Sequence, residues 1–122
     1  MTQAANNARR TGPALEAMYQ FMLWLVPTVE KFPRSQKFVL GDRIQDAALG
    51  VMDSLIAATY TKARDAMLAQ ANVGLERLRY FMRMSMELRL IDMRRYEHAA
   101  RCLDDVGRMV GGWIKAQHAH AP

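Results

Sequence analysis

The chain has 122 residues, of which 51% are hydrophobic and 24% are charged. This composition is typical of one folded domain and excludes a disordered tail, and the longest apolar run, at residues 21–26, is too short to cross a bilayer. The formal net charge is +5, from 17 basic and 12 acidic residues, which favours an acidic partner such as nucleic acid.

The two ends of the chain are expected to lie outside the folded domain. Residues 1–12 are small and polar and lack the apolar segment of a signal peptide, so we expect a flexible arm. Residues 118–122, with the sequence HAHAP, are expected to form a flexible tail. The single cysteine, Cys102, cannot close an intramolecular disulfide, which is typical of the reducing cytoplasm. We therefore expect a cytoplasmic protein whose folded domain covers residues 13–117.

The first predicted helix covers residues 13–31 and begins at Pro13, a residue that suits a first helical turn. Its apolar residues recur at steps of three and four along one stripe: Leu15, Met18, Tyr19, Met22, Leu25, Val26 and Val29. Phe21 and Trp24 fall outside this stripe. They either widen the core-facing side of the helix or form a subunit interface, because large exposed apolar patches are unusual on monomers. Pro27 is expected to kink or shorten the helix.

The second predicted helix covers residues 35–60 and follows the corner sequence KFPRSQKFVLGDRI. Ser35 is the expected N-cap, and Phe38 and Ile44 are expected on the core side. Gly41 stands alone and is not part of a glycine-rich phosphate-binding motif. The stretch is therefore predicted to be a helix–helix corner, with Gly41 allowing a close contact between helices.

Two more amphipathic helices are predicted at residues 65–90 and 93–117. Within the last helix, Gly107 and Gly111 are one turn apart, and we expect them to permit close helix packing because each is unfavourable in a helix. No segment alternates between apolar and polar residues as a strand does. Four helices joined by short corners predict an all-α, antiparallel up-down-up-down four-helix bundle.

Catalytic and metal-binding patterns are absent from the sequence. A di-iron bundle needs Glu-x-x-His pairs, and His98, the only interior histidine expected, has no Glu three residues before it. His98 and Cys102 are four residues apart on a predicted helix, but nothing supplies the other ligands of a metal site. No nucleophile stands beside a visible triad. We therefore expect neither enzymatic activity nor a metal or cofactor.

The arginines carry the functional prediction. Arg94, Arg101 and Arg108 are spaced seven residues apart, so they form a ridge on the fourth helix. Local ion pairs from Glu97 to Arg101 and from Asp104 to Arg108 would neutralise part of that ridge and leave an ordinary solvated face. Basic side chains beside an aromatic such as Tyr80 could follow a phosphate backbone and stack on a base. The candidate contacts with nucleic acid or a protein partner are Arg77, Arg79, Arg83, Arg94, Arg95, Arg101 and Arg108.

Three segments of the chain resemble a known family. They are EKFPRSQKFVLGDRIQDAAL at 30–49, LERLRYFMRMSMELRLI at 75–91 and RRYEHAARCLDDVGRMVGGWIK at 94–115. These segments are similar to the Avd proteins, the accessory variability determinants of diversity-generating retroelements. The similarity extends from about residue 15 to residue 116, which is nearly the whole chain.

The resemblance implies a four-helix bundle assembled as a homopentameric ring or barrel with a basic surface. It also implies a nonenzymatic protein that binds the retroelement's reverse transcriptase and its template RNA or cDNA, and that supports mutagenic retrohoming. Phe21 and Trp24 are the candidate residues of the oligomer interface. In a ring of five, phosphate contacts from several subunits would add avidity.

Two other functions compete with this interpretation. The same sequence pattern occurs in four-helix bundle proteins encoded in intervening sequences of bacterial 23S ribosomal RNA genes, which would bind RNA or protein without a reverse transcriptase partner. A bundle enzyme or metalloprotein is the alternative from another class. Stoichiometric iron or zinc in the purified protein would favour that last alternative.

Overall fold

The computed structural model describes residues 12–119 and contains four helices in that range. Helix α1 is Pro13–Glu30, α3 is Arg64–Glu87 and α4 is Met93–Ala119. Helix α2 consists of an opening turn at Arg34–Gln36, a π-helical segment at Lys37–Gly41 and an α-helix at Asp42–Tyr60. No strand occurs between residues 12 and 119, which confirms the all-α prediction. The predicted N-terminal arm lies outside the described residues except for Gly12.

The helices form a four-helix bundle in which chain neighbours are also neighbours in space. Helix α1 packs against α2 and α4, and α3 packs against the same two helices from the opposite corner. Pro13, at the start of α1, and Trp113, near the end of α4, line the same cleft. The side chain of Arg64, at the start of α3, donates to Gln117 Oε1 near the end of α4 over 3.0 Å. Both contacts place the start of one helix beside the end of α4, so α4 is antiparallel to α1 and to α3.

The buried side of α1 differs from the predicted stripe. Phe21, predicted outside it, is only 2% exposed, whereas Tyr19, predicted within it, is 46% exposed. Helix α4 packs against the side of α1 that carries Phe21, so the buried face of α1 includes Phe21 and is rotated away from Tyr19. Pro27 lies inside α1, and the helix continues to Glu30 beyond it.

The start of α2 also differs from the prediction. The Pro33 carbonyl accepts hydrogen bonds from the backbone N–H groups of Gln36 (2.8 Å) and Lys37 (2.9 Å). The helix therefore begins at Arg34, and Ser35 lies within its first turn instead of acting as the N-cap.

The π-helical segment of α2 changes which residues face the core. A π turn holds one more residue than an α turn, so the side chains of this segment are rotated relative to an α-helical wheel. Phe38, predicted in the core, is 60% exposed, while Ile44 beyond the segment is fully buried as predicted. A Cβ atom on Gly41 would lie 2.7 Å from Cγ1 of Val29. The predicted close contact at Gly41 is therefore present, between α2 and the end of α1.

Helix α3 ends at Glu87, three residues before its predicted end. The backbone N–H of Leu90 donates to the Ser85 carbonyl over 2.8 Å, and that of Arg89 donates to the Met86 carbonyl over 2.9 Å. With Arg89 at φ 61°, this is a Schellman motif, in which the left-handed position is usually a glycine. Because arginine occupies this position, no glycine marks the helix end in the sequence.

Helix α4 continues two residues beyond its predicted end and includes His118 and Ala119 of the predicted tail. Contacts with α3 hold this final turn. His118 Nε2 lies 3.2 Å from Asp65 Oδ2, and Gln117 accepts the hydrogen bond from Arg64. The last three residues of the predicted tail, 120–122, lie outside the described residues.

Candidate nucleic-acid interface

Charge is distributed unevenly among the helices. Helix α1 carries two acidic residues and no basic residue, whereas α4 carries five basic and three acidic residues, counting only Lys, Arg, Asp and Glu. Helix α3 carries four basic and three acidic residues. The positive side of the bundle is therefore formed by α3 and α4, and the candidate interface lies along α4 and the two grooves beside it.

The groove between α1 and α4 contains the first group of cations, here named the α1/α4 cluster. It lines a cleft of about 380 Å³ and consists of Trp24, Arg94, Arg95, His98 and Arg101. One acidic residue, Asp92, also lines the cleft, where its Oδ2 lies 3.4 Å from Nη1 of Arg95.

Two arginines of this cluster carry charges that no acid neutralises. Arg94 and Arg101 are exposed, and their side chains form no ion pair or hydrogen bond within residues 12–119. The structure thus brings together three of the seven predicted arginines and leaves two of the three unpaired. Unpaired cations are the ones available to phosphate groups.

The aromatic part of the α1/α4 cluster is fixed by ring contacts. Trp24 stacks on Phe21 with 5.7 Å between ring centroids, and it lies 5.0 Å from the ring of His98 across the groove. Phe21 is in the hydrophobic core, so little of its surface is left for a neighbouring subunit, contrary to the prediction. Trp24 is half-buried, and it lies in the basic cleft instead of on an isolated apolar face. Helical periodicity gave no signal for this placement, because Trp24 and His98 are far apart in the chain.

The groove between α3 and α4 contains the second group, the α3/α4 cluster. It lines a cleft of about 220 Å³ and consists of Glu76, Arg79, Tyr80, Arg83 and Tyr96. Arg83 Nε lies 3.4 Å from Glu87 Oε1, an exposed ion pair of little energetic weight. This cluster places Tyr80 beside two cations, as the sequence predicted, but both cations have acidic partners.

Arg79 is the most strongly engaged of the predicted arginines. Its guanidinium lies 3.2 Å from Glu76 Oε2 and 3.4 Å from Asp104 Oδ1, and it donates to the Leu103 carbonyl over 3.3 Å. Its side chain is 34% exposed. A Cβ atom on Gly107 would lie 2.8 Å from Nη2 of Arg79. Gly107 therefore provides space for this arginine, which links α3 to α4 as a structural contact.

The ion pairs predicted along α4 are replaced by different ones. Asp104 pairs with Arg79 across the groove, and Arg108 pairs with Asp105 one turn away. No pair joins Glu97 to Arg101 between residues 12 and 119. Pairing at the predicted spacing would have neutralised Arg101, so its absence leaves the α1/α4 cluster more positive than the sequence indicated.

Arg77 lies apart from both clusters. It lines a cleft between α2 and α3 together with Asp46 and Asp53. These two carboxylates lower the positive potential around it, so Arg77 is a weaker candidate than Arg94 or Arg101.

His98 and Cys102 are adjacent on α4, with 3.5 Å between His98 Nε2 and Cys102 Sγ. Burial raises the pKa of the Cys102 thiol above its ordinary value, with a smaller contribution from Asp105, and Arg101 opposes the shift. A raised pKa keeps the thiol protonated and poorly nucleophilic at neutral pH. Within residues 12–119, no three His, Cys, Asp or Glu side chains are grouped as a metal site requires.

Comparison with protein families assigns this arrangement to a known group. A family model described as bAvd-like matches residues 14–117, which span the four helices almost completely. The chain belongs to the bAvd-like family. The resemblance to Avd proteins found in the sequence is thereby confirmed.

Avd-like proteins are accessory, non-catalytic proteins, and the two basic clusters of this bAvd-like chain lie within the matched range. No curated protein and no solved structure gives a significant match. Among the helices of the described residues, none is both long enough and apolar enough to cross a membrane.

Proposed function

We propose that this protein is the accessory subunit of a diversity-generating retroelement and that it binds template RNA or cDNA through the α1/α4 cluster. The observation that carries the proposal is a pair of exposed arginines, Arg94 and Arg101, which are unpaired within residues 12–119 and lie beside Trp24 and His98 in one cleft. Guanidinium groups bind phosphates through several parallel hydrogen bonds, and an aromatic ring nearby favours contact with bases.

The protein partner in this proposal is the retroelement's reverse transcriptase. Arg77, Arg83 and Arg108 are exposed on α3 and α4, but each lies beside a carboxylate, so they are secondary candidates for the contact with this partner. Arg79 contributes by fixing α3 to α4 and thereby the spacing of the two clusters. In this role the protein acts in the cytoplasm, performs no chemistry, and supports mutagenic retrohoming by holding polymerase and template together.

The proposed assembly is a homopentameric ring, supported by apolar side chains on α1 and α2. Tyr19, Leu23 and Val26 are exposed on one face of α1, and Leu49 and Ile56 are exposed on one face of α2. Trp24 marks the opposite side of α1, which faces α4, so the Tyr19–Val26 face lies beside α2. Exposed apolar patches of this kind mark interaction sites. We therefore place the subunit contact on this side, away from the basic clusters.

Co-purification tests the proposal. The protein is expressed with the reverse transcriptase and template RNA of its own genomic neighbourhood, and the complex is isolated through a tag on the polymerase. The wild-type protein and an Arg83→Gln control are expected to co-purify with RNA, whereas Arg94→Gln/Arg101→Gln is expected to reduce the RNA recovered. A genomic position within a 23S ribosomal RNA gene, with no reverse transcriptase nearby, would contradict the retroelement function and favour the intervening-sequence proteins.

A further inference from the structure

A second basic cleft lies at the end of the bundle where α1 ends and the α3–α4 corner turns. Its volume is about 490 Å³, and its lining includes Lys31, Arg89 and Arg95. Asp92 is the one acidic residue among the described residues that line it. Neither Lys31 nor Arg89 was predicted as a site residue from the sequence, because neither belongs to a helical ridge.

The end cleft and the α1/α4 cluster adjoin each other. Asp92 and Arg95 line both clefts, so these two residues form their common wall. Asp92 is already engaged there, since its Oδ1 accepts the backbone N–H of Arg95 over 2.8 Å and its Oδ2 faces the Arg95 guanidinium. Together the clefts carry five cations, namely Lys31, Arg89, Arg94, Arg95 and Arg101, against this single acid.

Arg89 is held by the backbone at a position where arginine is unfavourable. Its φ of 61° is left-handed, a conformation that costs a residue with a Cβ atom about 1–2 kcal/mol. The backbone hydrogen bonds of the Schellman motif offset that cost, but the side chain of Arg89 forms no ion pair or hydrogen bond within residues 12–119. Lys31 is likewise exposed and unpaired in the same range. Both side chains are therefore exposed cations in the end cleft that are available to a phosphate group.

We propose that one single-stranded nucleic acid runs from the α1/α4 cluster over the α3–α4 corner, with its phosphates contacting Arg89 and Lys31. This inference rests on the proposed nucleic-acid function and extends it to a path and a strand type. A single strand fits because it can bend from one cleft into the next and can turn a base toward Trp24, whereas a duplex is stiff over that distance.

The test removes the two new cations without disturbing the fold. Arg89→Gly suits the left-handed backbone and deletes the guanidinium, and Lys31→Gln deletes an exposed charge. The matched control is Lys62→Gln/Lys115→Gln, which removes two exposed cations near the opposite end of the bundle that have no ion pair within residues 12–119. Binding of a labelled single-stranded RNA of about 20 nucleotides is followed by fluorescence anisotropy from about 50 to about 200 mM salt.

Each phosphate contact with a single strand contributes about 0.7 to the slope of log affinity against log salt concentration. The Lys31→Gln/Arg89→Gly variant is therefore expected to lower that slope by about 1.4 for the contacts of one subunit. If the wild-type subunit makes five phosphate contacts, its affinity falls about 100-fold between about 50 and about 200 mM salt. The variant then keeps three contacts, and its affinity falls about 20-fold over the same range. The Lys62→Gln/Lys115→Gln control is expected to keep the wild-type slope.

An unchanged slope in the Lys31→Gln/Arg89→Gly variant, or an equal loss in the control, would overturn the inference. Equal or tighter binding of a duplex of the same length would overturn the single-strand assignment. A slope lowered by Arg94→Gln/Arg101→Gln but not by Lys31→Gln/Arg89→Gly leaves the proposed function standing and refutes only the path over the corner. No binding of RNA or DNA by the wild-type protein would refute both.

Discussion

Replacing Gly107 by alanine tests how Arg79 is held between α3 and α4. The new Cβ atom would lie 2.8 Å from Nη2 of Arg79, so the guanidinium has to move. That movement weakens the hydrogen bond from Arg79 to the Leu103 carbonyl, which spans 3.3 Å, and the ion pair with Asp104, which spans 3.4 Å. Alanine is at the same time favoured over glycine inside a helix, because its backbone loses less entropy on folding.

The expected change in the free energy of unfolding follows from these opposing contributions. Losing the hydrogen bond costs about 0.5–1.5 kcal/mol, and losing the partly exposed ion pair costs up to about 1 kcal/mol. The gain in helix propensity is about 1 kcal/mol. In the wild-type background, the effect of Gly107→Ala is therefore expected to lie between about 0.5 kcal/mol of stabilisation and about 1.5 kcal/mol of destabilisation. In an Arg79→Ala background, the same substitution is expected to stabilise by about 1 kcal/mol.

Urea unfolding of the four proteins of this double-mutant cycle measures the coupling, which we expect at about 1–2 kcal/mol. Gly50→Ala is the matched control, because a Cβ atom on this exposed helical glycine would have no neighbour within 4 Å. It is expected to stabilise equally with and without Arg79. If Gly107→Ala also stabilises equally in both backgrounds, Arg79 does not occupy the space beside Gly107, and its assignment as a structural link is wrong.

Three further predictions concern the helix ends, the thiol and the assembly. Asp92→Ala is expected to destabilise the protein by about 1 kcal/mol in urea unfolding, because it removes the side-chain acceptor at the start of α4; an unchanged midpoint would contradict this. Burial raises the pKa of Cys102, so iodoacetamide is expected to alkylate the native protein at pH 8 much more slowly than the urea-unfolded protein; equal rates would contradict this. For the assembly, we propose that the wild type is a pentamer, and Leu23→Lys/Leu49→Lys is expected to yield monomers by light scattering. Val73→Lys, at an exposed position of α3, is expected to leave the assembly intact, and pentamers of the double variant would refute the proposed contact side.

The positions of the helices followed from apolar periodicity, since a bundle core needs one buried side on every helix. In α4, for example, Ala99, Leu103, Val106 and Val110 recur at steps of three and four and are fully buried. Periodicity could not show the π-helical segment, which exposes Phe38, because an α-helical wheel assumes a constant angle per residue.

The candidate arginines could be found from the sequence, but their partners could not. The spacing along α4 favoured an ion pair from Asp104 to Arg108, yet Asp104 meets Arg79 of a different helix. Such a contact depends on how far two packed helices are shifted along their axes relative to each other, which a single sequence does not specify. Lys31 and Arg89 could not be brought together from the sequence for the same reason. They share a cleft because the end of α1 packs beside the α3–α4 corner.

The most direct test of the central claim compares unpaired arginines with paired ones in RNA binding. Arg94→Gln/Arg101→Gln removes two cations that have no acidic partner within the part of the chain that the structure describes, and Arg83→Gln/Arg108→Gln removes two exposed cations that carboxylates already neutralise. Fluorescence anisotropy at several salt concentrations gives the slope of log affinity against log salt concentration. Relative to the wild type, this slope is expected to be lower by about 1.4 per subunit in the first variant and by clearly less in the second. Equal slopes for the wild type and Arg94→Gln/Arg101→Gln would contradict the account, because the α1/α4 cluster would then not be the nucleic-acid interface.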